Sequence, residues 1–200
     1  MQKVWYIHGA NATPTSFTFI KMQLKAAGVK HDIVNVQYIT EEPLAHTLQD
    51  LEKWLTDEPE PVHIISHSLG GILAVALSQR CPDKVLSVTT MSTPFAGSDG
   101  ATKALFIKPL DPFLLNASSL NRTINKTKLG ETNVPLLKII TTSGCSSLMS
   151  EPNDGVVTVA SQCAYPHGTT VSVELNHFEV LLSHDVVDHV VAFVGKHATG

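Results

Sequence analysis

The sequence predicts an α/β fold, a mostly parallel sheet with helices packed on both of its faces. Short β-branched and aromatic runs alternate along the chain with segments whose apolar residues recur every three or four positions. The strand-like runs are nearly continuous in apolar residues, as strands covered on both faces are. Helix-length segments separate consecutive strands, which is the crossover that parallel neighbours require.

Residues 4–7 read as a first strand that stops at His8-Gly9, and from Pro14 the spacing of Phe17, Ile20, Leu24 and Ala27 predicts a helix closed by Gly28. Residues 31–38 give a second strand through Ile33, Val34 and Val36. Leu44, Leu48, Leu51 and Leu55 mark a second helix, broken by Pro59-Glu60-Pro61. A third strand at 62–65 leads into a small-residue helix at 69–80, and a fourth strand at 85–89 ends near Pro94. From 95 to 134 the pattern lapses: Gly97, Gly100, Pro109 and Pro112 interrupt the apolar clusters Leu105-Phe106-Ile107 and Phe113-Leu114-Leu115. A structureless loop of that length is uncommon, so the segment reads as a small helical cap inserted after the fourth strand. Residues 135–141 and 170–175 resume as fifth and sixth strands. A closing helix at 185–194 turns Val186, Val187, Val190 and Val194 inward.

The 200 residues suit one domain spanning 1–200, with the 95–134 insertion inside it. Fourteen Lys and Arg against eighteen Asp and Glu leave a net charge of −4 with no run of like charge longer than two residues, which argues against nucleic acid as a partner. No apolar run approaches the ~20 residues of a membrane span, and the N-terminus lacks a signal-peptide pattern. The expectation is a soluble, cytoplasmic protein. Three cysteines without a C-x-x-C spacing predict neither a disulfide framework nor a zinc site, and are expected to be reduced structural thiols. His184 and His189 are five apart, which does not suit one helix face, and no H-E-x-x-H, G-x-G-x-x-G or P-loop pattern occurs. Neither a metal nor a cofactor is expected.

The chemistry-bearing signal is Ser66-His67-Ser68-Leu69-Gly70-Gly71, where an apolar strand runs directly into a helix through a serine flanked at two positions on either side by small residues. Such a nucleophile elbow thrusts a serine Oγ out at the carboxyl end of a sheet, and the crowding of its turn is why the flanking positions must be small. A serine-glycine turn that only caps a helix has the same residues. The place at a strand-to-helix junction separates the two readings. The usual G-x-S-x-G has glycine where this chain has Ser66, and Ser66 itself lies in the strand end.

At these residues the sequence resembles the α/β-hydrolase family, and within it the small lipases and esterases. The resemblance rests on His8-Gly9 after the first strand, the Ser68 elbow after the third, Ser92-Thr93-Pro94-Phe95-Ala96-Gly97-Ser98 after the fourth, then Asn153-Asp154-Gly155-Val156-Val157 and Asn176-His177-Phe178. It implies a reduced α/β-hydrolase fold and a chain order of nucleophile, acid and histidine. A serine needs an imidazole to take its proton, and the imidazole needs a carboxylate to fix its tautomer. Of ten histidines, His63 and His67 are too near Ser68 in sequence, and His31, His46 and His197 belong to segments away from the expected sheet edge. The candidates for the base are His177, His184 and His189. The resemblance points to His177 as base, with His184 its rival, and to Asp154 as acid ahead of Glu151, Asp111 and Asp99. It implies an oxyanion hole from the backbone N–H groups of Leu69 and Ala10, with Asn11 the alternative to Ala10.

The function expected is hydrolysis of a small-molecule carboxylic ester through an acyl-enzyme. The same triad would serve a thioesterase or acyltransferase, and a non-catalytic binding homologue is the reading from another class. The oligomeric state is not legible.

Overall fold

The computed structural model describes residues 2–40, 42–98, 129–146 and 149–198. Its sheet contains β1 (Gln2–Ile7), β2 (His31–Val36), β3 (Val62–His67), β4 (Val85–Met91), β5 (Leu136–Thr141) and β6 (Thr169–Val173), in the order β2-β1-β3-β4-β5-β6. Every neighbouring pair is parallel. The helices are α1 (Thr18–Ala26), α2 (Leu44–Thr56), α3 (Leu69–Arg80), α4 (Val159–Cys163) and α5 (His184–Lys196). The chain winds outward in one direction from β1 to β2 and in the other from β3 through β6. The winding therefore reverses between β1 and β3, and in open α/β sheets that reversal opens a crevice at the carboxyl ends of the strands.

Alternate residues of each strand serve opposite faces. Trp5, Ile7, Ile64 and Val88 pack with Leu48, Leu51 and Leu55 of α2 and Leu73 and Leu77 of α3. On the other face, Val4, Tyr6, Ile65, Met91 and Ile139 pack with Ile20 and Leu24 of α1 and with Val186, Val187, Val190 and Val194 of α5. α3 has no polar face: ten of its twelve residues, from Leu69 to Ser78, are buried. A helix apolar all round is buried all round, and its glycines and alanines let it lie close against the sheet and α2.

Several boundaries differ from the sequence reading, and the differences concern the carboxyl ends of strands. β3 and β4 continue to His67 and Met91, two residues beyond the predicted ends, so both reach the crevice. β2 stops at Val36. Tyr38, expected within it, instead donates its hydroxyl to the His8 carbonyl at 2.6 Å and stacks on the His8 ring. α4 was not expected, and it starts from a Thr158 side chain that accepts the Ser161 N–H. The cysteines correct the expectation of structural thiols: all three are free, but Cys145 and Cys163 are exposed and Cys81 is partly so. Most of the proposed 95–134 cap lies outside the described residues. At its edges, Phe95 stacks on Tyr165 and Leu129 and Val134 join the α2–α3 core. Among the described residues no helix is long and apolar enough to cross a membrane.

At the amino end of the sheet the buried His63 ring lies between the Ser87 hydroxyl at 2.7 Å and the Gln2 side-chain oxygen at 3.1 Å. Burial, and then the charges of His197 and His31, push its pKa down to about 4. The unfolded chain takes up this proton near pH 6.5, so between pH 6.5 and 4 it binds more protons than the folded one. Stability therefore falls with pH in that window, by about 3 kcal/mol from this residue at pH 4. Urea unfolding across the window is expected to show that loss, and His63→Gln to flatten this part of the slope.

Candidate active site

The carboxyl end of β3 delivers Ser68 into a backbone conformation that only tight packing can hold. Its φ of 52° and ψ of −124° lie outside the ordinary regions for a non-glycine residue, a placement that costs on the order of 1–3 kcal/mol. The Ser68 N–H donates to the Met91 carbonyl at 2.8 Å, and its own carbonyl accepts the Gly71 N–H at 2.9 Å. The helix that follows begins almost in contact with the neighbouring strand ends. A Cβ on Gly70 would lie 2.2 Å from the Ile7 carbonyl oxygen, and one on Gly71 would lie 1.9 Å from Thr93 Oγ1. Ser66, the small residue on the other side, is fully buried and donates its hydroxyl to the Thr89 carbonyl at 2.8 Å. That bond makes it part of the β3–β4 seam and removes it as a rival to Ser68.

Asp154 and His177 meet on the β5–β6 side of the crevice. His177 Nδ1 donates to Asp154 Oδ2 at 2.8 Å, with both side chains almost wholly shielded from solvent. Asp154 leads a tight turn in which its Oδ1 accepts the Val156 and Val157 N–H groups at 2.9 and 2.7 Å. Its Oδ2 also accepts the Thr141 hydroxyl at 2.7 Å and the Gln162 amide at 3.2 Å. Burial alone raises the pKa of this carboxyl. The His177 hydrogen bond and charge, with the Val157 N–H and Thr141 hydroxyl, outweigh it and hold the group below the ordinary carboxylate range. The carboxylate thus stays ionised in the interior because five donors surround it. It fixes the imidazole with the proton on Nδ1 and leaves Nε2 as the basic nitrogen.

The loop that carries His177 is shaped by a reciprocal cap. Asn176 Oδ1 accepts the Glu179 N–H while Glu179 Oε2 accepts the Asn176 N–H, each at 2.9 Å. Phe178, largely exposed, sets its ring edge-on against His177 with centroids 5.2 Å apart. Thr142, Asn176, Val156 and Phe178 wall an open cleft of about 640 Å³ that reaches Asp154.

Gly9 closes the opposite side. A Cβ there would lie 2.9 Å from the Ser68 Cβ, so the 9–10 backbone lies directly against the elbow. Leu69 is the first residue of α3, and a helix leaves its first N–H groups without intrahelical partners. The Ala10 N–H donates to no group among the described residues. Asn11 adopts a φ of 53°, a conformation asparagine tolerates.

Of the residues singled out from sequence, Asp154 and His177 are bonded to each other. Ser68, Leu69 and Ala10 gather around the β1 and β3 ends. No direct hydrogen bond joins Ser68 to His177 among the described residues. What links the two is His67, whose ring lies 4.8 Å from that of His177 and whose Nε2 donates to the His177 carbonyl at 2.8 Å. Among the rivals, His184 starts α5 with its ring edge-on to Phe19, Glu151 is exposed, and Asp99 and Asp111 lie outside the described residues. Sequence reasoning missed His67, Thr141 and Gln162. Thr141 follows from β5 ending beside the acid turn, and Gln162 from the Thr158 cap that starts α4; His67 was set aside for its nearness to Ser68. Among the described residues no group of three or more His, Cys, Asp and Glu side chains is arranged to hold a metal.

Comparison with known proteins agrees with this architecture. Residues 6–158 match the profile of a family described as the alpha/beta hydrolase family. An uncharacterized protein of Synechocystis sp. is 31% identical over 86 residues, 41% of this chain, and the match spans about a third (34%) of that relative's length. Among solved structures, the mature lipase of Bacillus licheniformis superposes with a TM-score of 0.68 at 17% identity, covering 95% of this chain and 91% of that one. A monoacylglycerol lipase of Paleococcus ferrophilus gives 0.68 at 13% identity, covering 98% and 95%.

The elbow packing predicts opposite outcomes for two glycines. Gly70→Ala drives a methyl group into the backbone of β1 and is expected to cost about 1–3 kcal/mol or more. Gly195→Ala, in α5 with open space around it, is expected to add about 0.5–1 kcal/mol. Urea unfolding of the two variants measures both.

Proposed function

The chain belongs to the alpha/beta hydrolase family, and from that premise we propose that it is a serine hydrolase cleaving carboxylic esters through an acyl-enzyme. Ser68 is the nucleophile, His177 the general base and Asp154 the carboxylate that orients it. The observation that carries this reading is the buried 2.8 Å bond between His177 Nδ1 and Asp154 Oδ2, formed beside a serine held in a strained strand-to-helix turn.

Ser68 Oγ attacks the ester carbonyl carbon while His177 Nε2 takes the hydroxyl proton. The carbonyl oxygen becomes an oxyanion, held by the N–H groups of Leu69 and Ala10. The first of these opens α3, where unpartnered donors and the helix dipole favour negative charge. As the tetrahedral species collapses, the C–O bond to the alcohol breaks and the proton on Nε2 passes to the departing oxygen. Water then repeats the sequence on the acyl-enzyme: His177 takes its proton, the hydroxyl adds to the acyl carbon, and Ser68 leaves with the proton returned. Every step uses groups that the chain supplies. Among the described residues Ser68 and His177 are not directly hydrogen-bonded, so this mechanism has that bond form when substrate is in place.

An ester as the substrate class draws support from the lipase activity named for two proteins of the same fold.

Turnover of a short-chain p-nitrophenyl ester tests the assignment. Ser68→Ala and His177→Ala are expected to reduce it to background, and Asp154→Asn to lower kcat by about 10³- to 10⁴-fold because the imidazole loses its tautomer. His184→Ala is expected to stay within about twofold of wild type, since surface changes away from a site have small effects. Wild-type turnover surviving in a folded Ser68→Ala protein would overturn the reading.

A further inference from the structure

His67 immediately precedes Ser68, yet its side chain is engaged with the loop on the far side of the crevice. The ring is 3% exposed and lies between Gly9, whose Cβ position would be 3.3 Å from His67 Nδ1, and the ring of His177. With Nε2–H donating to the His177 carbonyl, Nδ1 is the acceptor nitrogen of a neutral imidazole, and it is buried without a hydrogen-bond partner among the described residues. Burial, followed by the charge of His177, pushes the pKa of this ring down to about 3, so it remains neutral beside the base. An apolar side chain of similar volume would fill the space with no unpaired atom. The feature that a histidine adds is the one hydrogen bond to residue 177.

That bond spans two separately built parts of the site. Ser68 belongs to the β3–α3 junction. His177 follows β6, the strand at the edge of the sheet, and its main-chain N–H donates to the Asp154 carbonyl at 3.0 Å. The Asp154 turn and the His177 loop are therefore bonded to each other twice, through backbone and side chain. Among the described residues, the hydrogen bond that ties the His177 loop to the β3–α3 junction is His67 Nε2 to His177 O. Without it, the hydrogen bonds that position the His177 loop are those to the Asp154 turn, which is itself held by Thr141 of β5 and Gln162 of α4, and the loop could shift relative to Ser68 about that anchor.

We infer that His67 is a positioning residue: its Nε2–H holds the main chain of His177, so the residue next to the nucleophile sets the distance from the nucleophile to the base. Its kinetic consequence rests on the serine-hydrolase reading. Its structural consequence, an anchored 176–179 loop, does not. A displacement of about 1 Å between reacting groups lowers a rate by about a hundredfold, which sets the size of the effect.

Three variants test this. His67→Gln retains an N–H at the reach of Nε2, His67→Leu removes the donor while keeping bulk, and His67→Asn keeps polarity but falls short of the carbonyl. Each is assayed for kcat and KM on a p-nitrophenyl ester, and for amide hydrogen exchange across residues 176–179 in the free protein. The expected result for Leu and Asn is a kcat lowered about 10- to 100-fold with KM within about threefold, and loop exchange accelerated about tenfold or more. The Gln variant is expected to keep kcat and loop exchange within about threefold of wild type. Equal impairment of Gln and Leu, or unchanged loop exchange in a folded Leu or Asn variant, would overturn the inference. Should Leu fail to fold, the contrast between Gln and Asn decides. If the wild type turns over no ester, the hydrolase reading falls, and the exchange data alone decide the role of His67.

Discussion

The backbone contact between Gly70 and the end of β1 is the constraint from which the rest of the site follows. With no side chain at Gly70, the first turn of α3 can lie against the Ile7 and His8 carbonyls, and with none at Gly71 it can also lie against Thr93. That approach forces the chain from β3 to α3 through a single residue, Ser68, at positive φ. It also brings the Gly9–Ala10 segment against the serine and points the amino end of α3 into the crevice. The cost of strain at one residue is carried by burial of nearly the whole of α3 in the core, an area that stabilises by many times the strain.

The second constraint is electrostatic. A carboxylate without exposure is tolerable only when surrounded by donors, and Asp154 recruits them from four places. Its own turn supplies two backbone N–H groups, β5 and α4 supply Thr141 and Gln162, and the loop after β6 supplies His177. Gln162 is itself locked to Thr141 through the Thr141 N–H and carbonyl. The polar groups of the site therefore form a satisfied network on one side of the crevice, facing an elbow built mainly from backbone and apolar packing on the other. His67 bridges these two differently constructed halves.

Much of this was legible in the sequence. The strand-helix alternation gave the parallel order, because apolar runs of four to seven residues separated by helical spacing leave few other folds. Ser68, Asp154 and His177 were singled out as candidates because each lies after a strand in a recognisable segment: small residues flanking the serine, Asn153-Asp154-Gly155, and Asn176-His177-Phe178, in the chain order that the family resemblance implies. What escaped were groups defined by distant partners. The Thr158 cap marks where α4 starts but not that Gln162 anchors a carboxylate eight positions earlier, and α4 is a five-residue helix too short for a periodic signal. His67 was discounted as the base because it lies too close in sequence to Ser68. The strand alternation in fact turns its side chain away from that of its neighbour and towards a loop 110 residues later. Exposed Cys145 and Cys163 fall in the same class, since short loops and a short helix carry no periodicity from which burial is read.

The central claim is that Ser68 is activated by the Asp154–His177 pair, and covalent labelling tests it most directly. A fluorophosphonate probe reacts with an activated serine and not with an ordinary hydroxyl, so intact-mass analysis of the labelled protein, followed by peptide mapping, reads out activation itself, independent of which ester the enzyme prefers. The account predicts a single adduct per chain, mapped to Ser68 and suppressed when His177 is replaced by alanine. Labelling at any other residue, or no adduct on a folded wild-type protein, would contradict it.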